Sequence, residues 1–196
     1  MRKLRAAALA AAVILLGSGC SSVGGGTHSV SDSDKTSAPT VAGGKSSPAE
    51  ALCHALVTVQ DLPQGFGSSS TPAPCDDDPK IQATGFKGQN GGLEMIDEEL
   101  ERDDSAEDAT SRLPDLVAEL NRLVPDPVEQ DPAGFRDLGD EVHYFTSHHD
   151  QTYWNTLYIR RGKLLMYLSV TKYGPFAPAD MHLFASKAVK RTSSLG

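Results

Sequence analysis

The sequence contains no hydrophobic run long enough to cross a bilayer. Its longest apolar stretch extends from Ala6 to Leu16, about 11 residues, where a membrane-spanning helix needs about 20. Basic residues precede the stretch and small residues follow it, which is the pattern of a secretory signal peptide. We therefore predict that residues 1–19 are a signal peptide and that the protein is exported.

Cysteine is also scarce, since the chain has only three, and an odd number leaves one thiol without a partner in an exported protein. Cys20 directly follows Leu16, Gly17, Ser18 and Gly19. This arrangement resembles the lipobox of bacterial lipoproteins, although that pattern usually has a larger aliphatic residue in place of Gly17. The resemblance implies a diacylglyceryl anchor on Cys20, and two acyl chains suffice for stable membrane attachment. Secretion without lipidation is the alternative.

The other two cysteines, Cys53 and Cys75, are predicted to form a disulfide, because export places them in an oxidising compartment. Such a bond closes a loop of about 22 residues, which the chain-entropy model values at about 3 kcal/mol. The alternatives are two buried thiols or half of a metal site. The sequence has no second cysteine pair to complete a zinc site.

Basic residues are fewer than acidic ones: the chain has 18 against 26, which gives a net charge of −8. Removal of the signal peptide takes away three more basic residues. Arg160, Arg161 and Lys163 lie close together in the remaining chain. Because so acidic a protein repels phosphate backbones, we predict no nucleic-acid partner.

Recognisable catalytic motifs are missing: the sequence has no serine-nucleophile elbow and no phosphate-binding loop. His148 and His149 lie on a predicted turn, with His143 in the strand before it, and neighbouring turn residues rarely converge on one metal ion. His54 and His182 lie on predicted helices, and we interpret them as surface or core-edge residues. We therefore predict no enzyme activity, no metal and no cofactor, and a metal-dependent hydrolase is the weakest alternative.

Residues 20–47 are rich in Gly, Ser and Thr, and this composition cannot bury enough apolar surface to fold. We predict that they form a disordered tether and that residues 48–192 form one extracytoplasmic domain. Ser47 and Glu50 have the spacing of a capping box around Pro48. They predict a first helix that ends near residues 62–63.

Strand signals follow at about residues 81–87 and 93–101, separated by a glycine-rich turn. Several carboxylates of the second strand alternate between its faces and indicate a solvated edge: Asp97, Glu98, Glu99 and Glu101. Helical spacing of apolar residues then predicts a second helix up to residue 124 with Ser105 as its N-cap. Pro114 is expected to kink or split this helix.

The C-terminal part has the alternation of a β-meander, with strands predicted at about 141–147, 153–160 and 163–171. A last helix begins at Pro178. The order α-β-β-α-β-β-β-α predicts an α+β domain in which an antiparallel sheet of about five strands is covered by helices on one face.

Three aromatic residues are the predicted ligand face. A turn with an even number of residues in the last hairpin places Trp154, Tyr158 and Tyr167 together on the more open face of the sheet. Such rings offer apolar area with hydrogen-bonding tips. The alternative is that helices cover this face and the rings belong to the core.

Three short segments carry a resemblance to a known family: DLPQGF at residues 61–66, LGDEV at 138–142 and RRGK at 160–163. With the signal peptide and tether, they resemble small surface lipoproteins of actinobacteria, whose folded part looks like the extracellular sensor domain of PknH-like receptor kinases. The resemblance covers about residues 50–190. It implies a helix-backed antiparallel sheet with a cleft and a ligand-sensing role. Those sensor domains commonly have two disulfides, whereas only one can form here.

The sequence therefore predicts a lipoprotein anchored to the cell membrane, facing the extracytoplasmic side. Its domain is predicted to bind a small ligand or a surface protein. The alternative is a carrier of lipid or another apolar molecule through the envelope, which needs an aliphatic cavity of several hundred Å³.

Overall fold

The computed structural model describes residues 47–68, 75, 77–89 and 94–195. These residues belong to one compact unit, Gly43–Gly196. Cys20 and the predicted signal peptide lie outside the described residues, as does the predicted tether up to residue 46.

The described residues form three α-helices, α1 (Pro48–His54), α2 (Ala106–Leu123) and α3 (Pro178–Arg191). They also form seven strands: β1 (Phe66–Ser68), β2 (Ile81–Gly88), β3 (Met95–Arg102), β4 (Val128–Gln130), β5 (Glu141–His149), β6 (Thr152–Arg161) and β7 (Leu164–Tyr173). Short 3₁₀ helices lie at Val59–Asp61, Pro132–Leu138 and Thr192–Ser194. The strands make one sheet in the order β1-β2-β3-β7-β6-β5-β4, and every neighbouring pair is antiparallel.

The α+β class and the antiparallel sheet are as predicted, but the sheet has seven strands instead of about five. The two additional strands, β1 and β4, have three residues each and form the two edges of the sheet. Three residues are too few to show an alternating pattern, so these strands arise from pairing with β2 and β5 rather than from a local signal. Since β1 and β2 lie outside it, β3 is an interior strand and not the predicted solvated edge.

Helices cover both faces of the sheet, and the prediction of helices on one face is wrong. Helices α1 and α3 pack on one face, where Leu157 and Leu168 are fully buried. Helix α2 packs on the other face against Tyr158 and Leu165. The interior strands carry apolar side chains on both faces, so each face needs its own cover.

The first helix ends at His54, well before the predicted end near residues 62–63. Beyond His54, the N–H groups of Ala55 and Leu56 donate to carbonyls three residues back, and the Val57 N–H donates to Oε2 of Glu98 at 2.6 Å instead of to a helical carbonyl. The next N–H, that of Thr58, donates to the Asp61 carboxylate at 2.8 Å and begins a separate 3₁₀ turn. A tertiary contact thus replaces the helical hydrogen bond that propensity favours.

The other helix signals agree with the structure. Ser47 and Glu50 form the predicted capping box of α1, and the Ser105 side chain accepts a hydrogen bond from the Asp108 N–H at the start of α2. Pro114 lies inside α2 without splitting it. Helix α3 begins at Pro178, as predicted.

The β6–β7 hairpin confirms the predicted register. Arg161 pairs with Leu164 across a two-residue turn, in which Gly162 has a φ of 55° that favours glycine. Tyr158 therefore faces Tyr167 across the two strands. Trp154 joins them on the α2 face, while Leu157 and Ile159 lie on the α1 and α3 face.

Candidate functional site

The three predicted ligand-face rings lie together beside α2, which covers them unequally. Tyr158 is only 4% exposed and meets the Phe145 ring edge to face at 6.2 Å. The Tyr158 and Tyr167 ring centroids lie 5.3 Å apart. Trp154 and Tyr167 are partly buried against the same cluster. Tyr158 is therefore part of the hydrophobic core. That the three rings bind a ligand stays a prediction.

Two carboxylates of β3 extend this face, and we call Trp154, Tyr158, Tyr167, Asp97 and Glu99 the acidic–aromatic face. Asp97 is paired with Ser169 across β3 and β7, and Glu99 with Tyr167. Asp97 Oδ1 lies over Gly85 of β2, where an added Cβ would come within 3.1 Å of it. Both carboxylates are partly buried, and among the described residues neither makes an ion pair or a hydrogen bond.

Burial sets the protonation of these two groups. Desolvation raises the pKa of Asp97 to about 6. Desolvation also raises the pKa of Glu99, and the neighbouring Glu101 and Glu119 carboxylates add to this, whereas Arg112 opposes it. A bound positive charge or hydrogen-bond donor would lower both pKa values again, so these carboxyls can couple ligand binding to proton release.

Glu98 lies between them in sequence but points to the opposite face, under α1. It is 1% exposed, and its Oε1 has no hydrogen-bond partner among the described residues. Burial raises its pKa to about 8, although the Val57 N–H and the more distant Arg191 act in the other direction. The prediction of a solvated edge is wrong for Glu98, and the alternation of Ile96, Glu98 and Leu100 on one buried face was the signal for its burial.

The histidines considered as metal ligands are occupied by neighbouring side chains. His143 contacts Glu129 through Nδ1 at 2.7 Å and Glu141 through Nε2 at 3.3 Å. The His148 ring stacks on Tyr153, with centroids 4.2 Å apart. Within the described parts of the chain, the structure brings no three His, Cys, Asp or Glu side chains into an arrangement that could hold a metal ion.

A serine, a histidine and an aspartate meet on α3 and the preceding 3₁₀ helix. His182 Nε2 lies 3.0 Å from Asp137 Oδ1, and Ser186 Oγ lies 3.5 Å from His182 Nδ1. The Ser186 hydroxyl, however, donates to the His182 carbonyl oxygen at 2.8 Å. Because its proton points along the helix and not at the imidazole, this geometry does not align a nucleophile with a base.

A cleft of about 270 Å³ opens on the α3 side of the domain, and we call it the α3 cleft. One wall is α3, the second is the segment after the first 3₁₀ helix, and the third is the β7–α3 connection. Its lining comprises Asp61, Pro63, Gln64, Lys172, Pro175, Phe176, Asp180, Leu183, Phe184 and Lys187. Sequence reasoning missed it, because these residues are distant in the chain and come together only in the fold.

A second depression of about 320 Å³ lies beside Phe135 and His182. Both depressions are open to solvent, and the α3 cleft is lined by charged as well as apolar side chains. Neither is the enclosed aliphatic cavity that a carrier of apolar molecules needs.

The predicted disulfide between Cys53 and Cys75 is present, with their Cα atoms 5.6 Å apart. It joins α1 to the segment that leads into β2. None of the helices in the described ranges is both long enough and apolar enough to span a membrane.

No family model matches this sequence, and no curated protein matches it. Among solved structures, the chain is similar to the extracellular domain of PknH from Mycobacterium tuberculosis. The two share 10% sequence identity, and the match covers 74% of this chain and 75% of that one, with a TM-score of 0.41.

Proposed function

We propose that this protein is a lipoprotein anchored to the cell membrane through Cys20, and that its extracytoplasmic domain binds a ligand without catalysing a reaction. The short apolar leader and the cysteine that follows it support the anchor. The Cys53–Cys75 disulfide supports an oxidising location. The ligand is a small molecule or an exposed segment of another surface protein.

The observation that carries the binding role is the pair of partly buried carboxylates Asp97 and Glu99 beside Tyr167. Burying a carboxylate without a partner costs free energy. Carboxyls whose pKa is raised by burial are concentrated at binding and catalytic sites. The adjacent rings add apolar contact area, so the acidic–aromatic face combines both kinds of contact that a binding site needs.

The anchor is tested by replacing Cys20→Ala and following the protein between the detergent phase and the medium. We expect the wild-type protein in the detergent phase and the variant in the medium, because the variant has no sulfur to carry the acyl chains. Ser21→Ala is the matched control and should remain in the detergent phase. Detergent partitioning of Cys20→Ala would contradict the anchor.

The binding face is tested through the fluorescence of Trp154, which is the only tryptophan of the chain. The purified protein is titrated with a defined panel that contains spermidine, glucosamine, maltose and a basic tetrapeptide. We expect at least one member to change the emission saturably, and Asp97→Asn to abolish that change. Asp115→Asn, an exposed carboxylate on α2, is the control and should leave it intact. A flat response to the whole panel, or a response that survives Asp97→Asn, counts against this face.

A further inference from the structure

The α3 cleft lies on the opposite side of the sheet from the acidic–aromatic face, and it has a different chemistry. Its apolar part consists of the Phe176 ring and the Leu183 side chain, which is 60% exposed, above the buried Phe184. Leu183 and Phe176 together give the cleft an apolar wall that solvent can reach. Ligand sites of this kind combine such apolar area with a few polar groups.

The charged part of the α3 cleft is dominated by two ammonium groups. Lys172 Nζ lies 5.7 Å from the centroid of the Phe176 ring, and no ion pair to it is present among the described residues. Lys187 Nζ donates to the Asp61 backbone carbonyl at 3.2 Å, which is a neutral acceptor. Neither positive charge is therefore balanced by a carboxylate in contact with it.

The two carboxylates at the cleft cancel this charge only in part. Asp61 is already engaged, because its Oδ2 accepts hydrogen bonds from Thr58 and lies 3.4 Å from Arg191 Nη1. Asp180 lies in the first turn of α3, where the helix dipole stabilises a negative charge. Two ammonium groups thus face one exposed carboxylate that is not paired with arginine. This is a local excess of positive charge in a chain whose net charge is −8.

The walls of the cleft are held in place without a ligand. Arg191 Nε donates to the Leu56 carbonyl at 2.5 Å and Nη2 to the His54 carbonyl at 2.9 Å, which attaches the segment before the cleft to α3. Pro63 and Pro175 restrict the backbone at the rims. A site of this kind requires little ordering when a ligand binds.

We propose that the α3 cleft binds a small organic carboxylate with an apolar body. The ammonium groups of Lys172 and Lys187 hold the carboxylate through charge-assisted hydrogen bonds, and the apolar body packs against Phe176 and Leu183. This site is separate from the acidic–aromatic face, and it stands whether or not that face binds a ligand.

Isothermal titration calorimetry with 3-phenylpropionate tests the proposal on the purified protein. The neutral isostere 3-phenylpropanamide has the same ring and chain without the charge. We expect the acid to bind at least about tenfold more tightly than the amide, since the charge-assisted bonds are lost in the amide. Equal affinity for the two compounds, or no binding of the acid at millimolar concentration, overturns the proposal.

Variants locate the site. Lys172→Gln and Lys187→Gln should each weaken binding of the acid by about tenfold and leave the amide unchanged. Lys190→Gln removes an exposed ammonium of α3 that does not line the cleft, and it should change the affinity by less than about twofold. If Lys187→Gln disturbs the fold because its hydrogen bond to the Asp61 carbonyl is lost, the affinity of Lys172→Gln for the acid alone tests the site. Equal weakening by Lys190→Gln would show a general charge effect and overturn the site.

A tetrapeptide that ends in phenylalanine with a free carboxylate distinguishes the source of the ligand. If the peptide binds more tightly than 3-phenylpropionate and is sensitive to Lys172→Gln, the carboxylate is a protein C-terminus. If only the free acid shows that sensitivity, the ligand is a small molecule. Insensitivity of both to Lys172→Gln contradicts the proposal.

Discussion

The two faces of β3 place carboxyl groups in different environments. Glu98 points to the α1 face, is fully buried, and accepts a hydrogen bond from the Val57 backbone. Asp97 and Glu99 point to the α2 face, are partly exposed, and have no hydrogen-bond partner among the described residues. Adjacent positions on one strand thus carry one carboxyl that organises the chain above it and two that remain available to a ligand.

The difference shows that environment, and not residue type, assigns the role of a carboxyl. Glu98 accepts a hydrogen bond from the Val57 N–H just beyond α1, where the helix does not continue. Its pKa of about 8 keeps it neutral at physiological pH, so it acts as a hydrogen-bonding group. Asp97, with a pKa of about 6, is charged under the same conditions. Substitutions on β3 and at the disulfide test this contrast.

The largest effect is expected for Glu98→Gln. The unfolded chain releases the Glu98 proton near pH 4.5, whereas the folded protein keeps it until about pH 8. The free energy of unfolding should therefore fall as pH rises through that window, by at most about 5 kcal/mol, and level off above it. The amide can still accept from the Val57 N–H and does not titrate. Urea denaturation at pH 5, 7 and 9 should thus show a much weaker pH dependence and a more stable variant at pH 9.

Glu99→Gln is the matched comparison from the other face of β3. Its carboxyl is less buried and is reached by solvent, so its replacement should alter the pH profile less than Glu98→Gln does. Equal pH profiles for the two variants would remove the contrast between the faces.

An intermediate effect is expected from removal of the disulfide. Replacing both Cys53→Ser and Cys75→Ser should lower the free energy of unfolding by about 3 kcal/mol, because the unfolded chain regains the entropy of a closed loop. Helix α1 should also become more mobile above Glu98, which admits water and lowers the pKa of that carboxyl. The midpoint of the pH profile should therefore move down.

The disulfide prediction has an internal control. Reduction of the wild-type protein by dithiothreitol should give the same loss of stability as the double variant. A loss without any movement of the pH midpoint would mean that α1 stays in place over Glu98 without the bond.

The smallest effect is expected for Asp97→Asn. Because burial raises the pKa of Asp97 from 3.8 to about 6, ionisation destabilises the fold as pH rises between those values. The variant should be more stable than the wild type at pH 7 by about 1 kcal/mol, after allowance for the partial exposure of this group. Thermal unfolding at pH 4 and pH 7 measures this, with Asp115→Asn as the exposed control. A destabilised Asp97→Asn at pH 7 would show a structural partner for this carboxylate.

Local signals predicted those parts of the fold that local interactions decide. The Gly162 turn set the register of β6 and β7, and the N-cap residues Ser47 and Ser105 marked two helix starts. Of the proposed acidic–aromatic face, the sequence placed the rings on one side of the sheet but interpreted Asp97 and Glu99 as a solvated edge. That interpretation failed because β1 and β2 extend the sheet beyond β3.

Long-range contacts decided what the sequence did not predict. The hydrogen bond of the Val57 N–H just beyond α1 depends on Glu98, which is 41 residues away in the chain. The α3 cleft depends on the approach of Lys187 to Asp61, and no periodicity or motif encodes that approach. Helices cover both faces because the interior strands carry apolar side chains on each face. The two short edge strands, β1 and β4, leave no alternating pattern in the sequence.

The Cys53–Cys75 bond has a mechanical consequence. The polypeptide N-terminal to Ser47 joins the domain through α1, so tension along that polypeptide reaches Cys53 within the first helix. The disulfide then transmits part of this force to the segment before β2. Strand β2 is itself paired along its length with β3. A load would therefore be shared by the hydrogen bonds between these strands, and it would not peel away α1 alone.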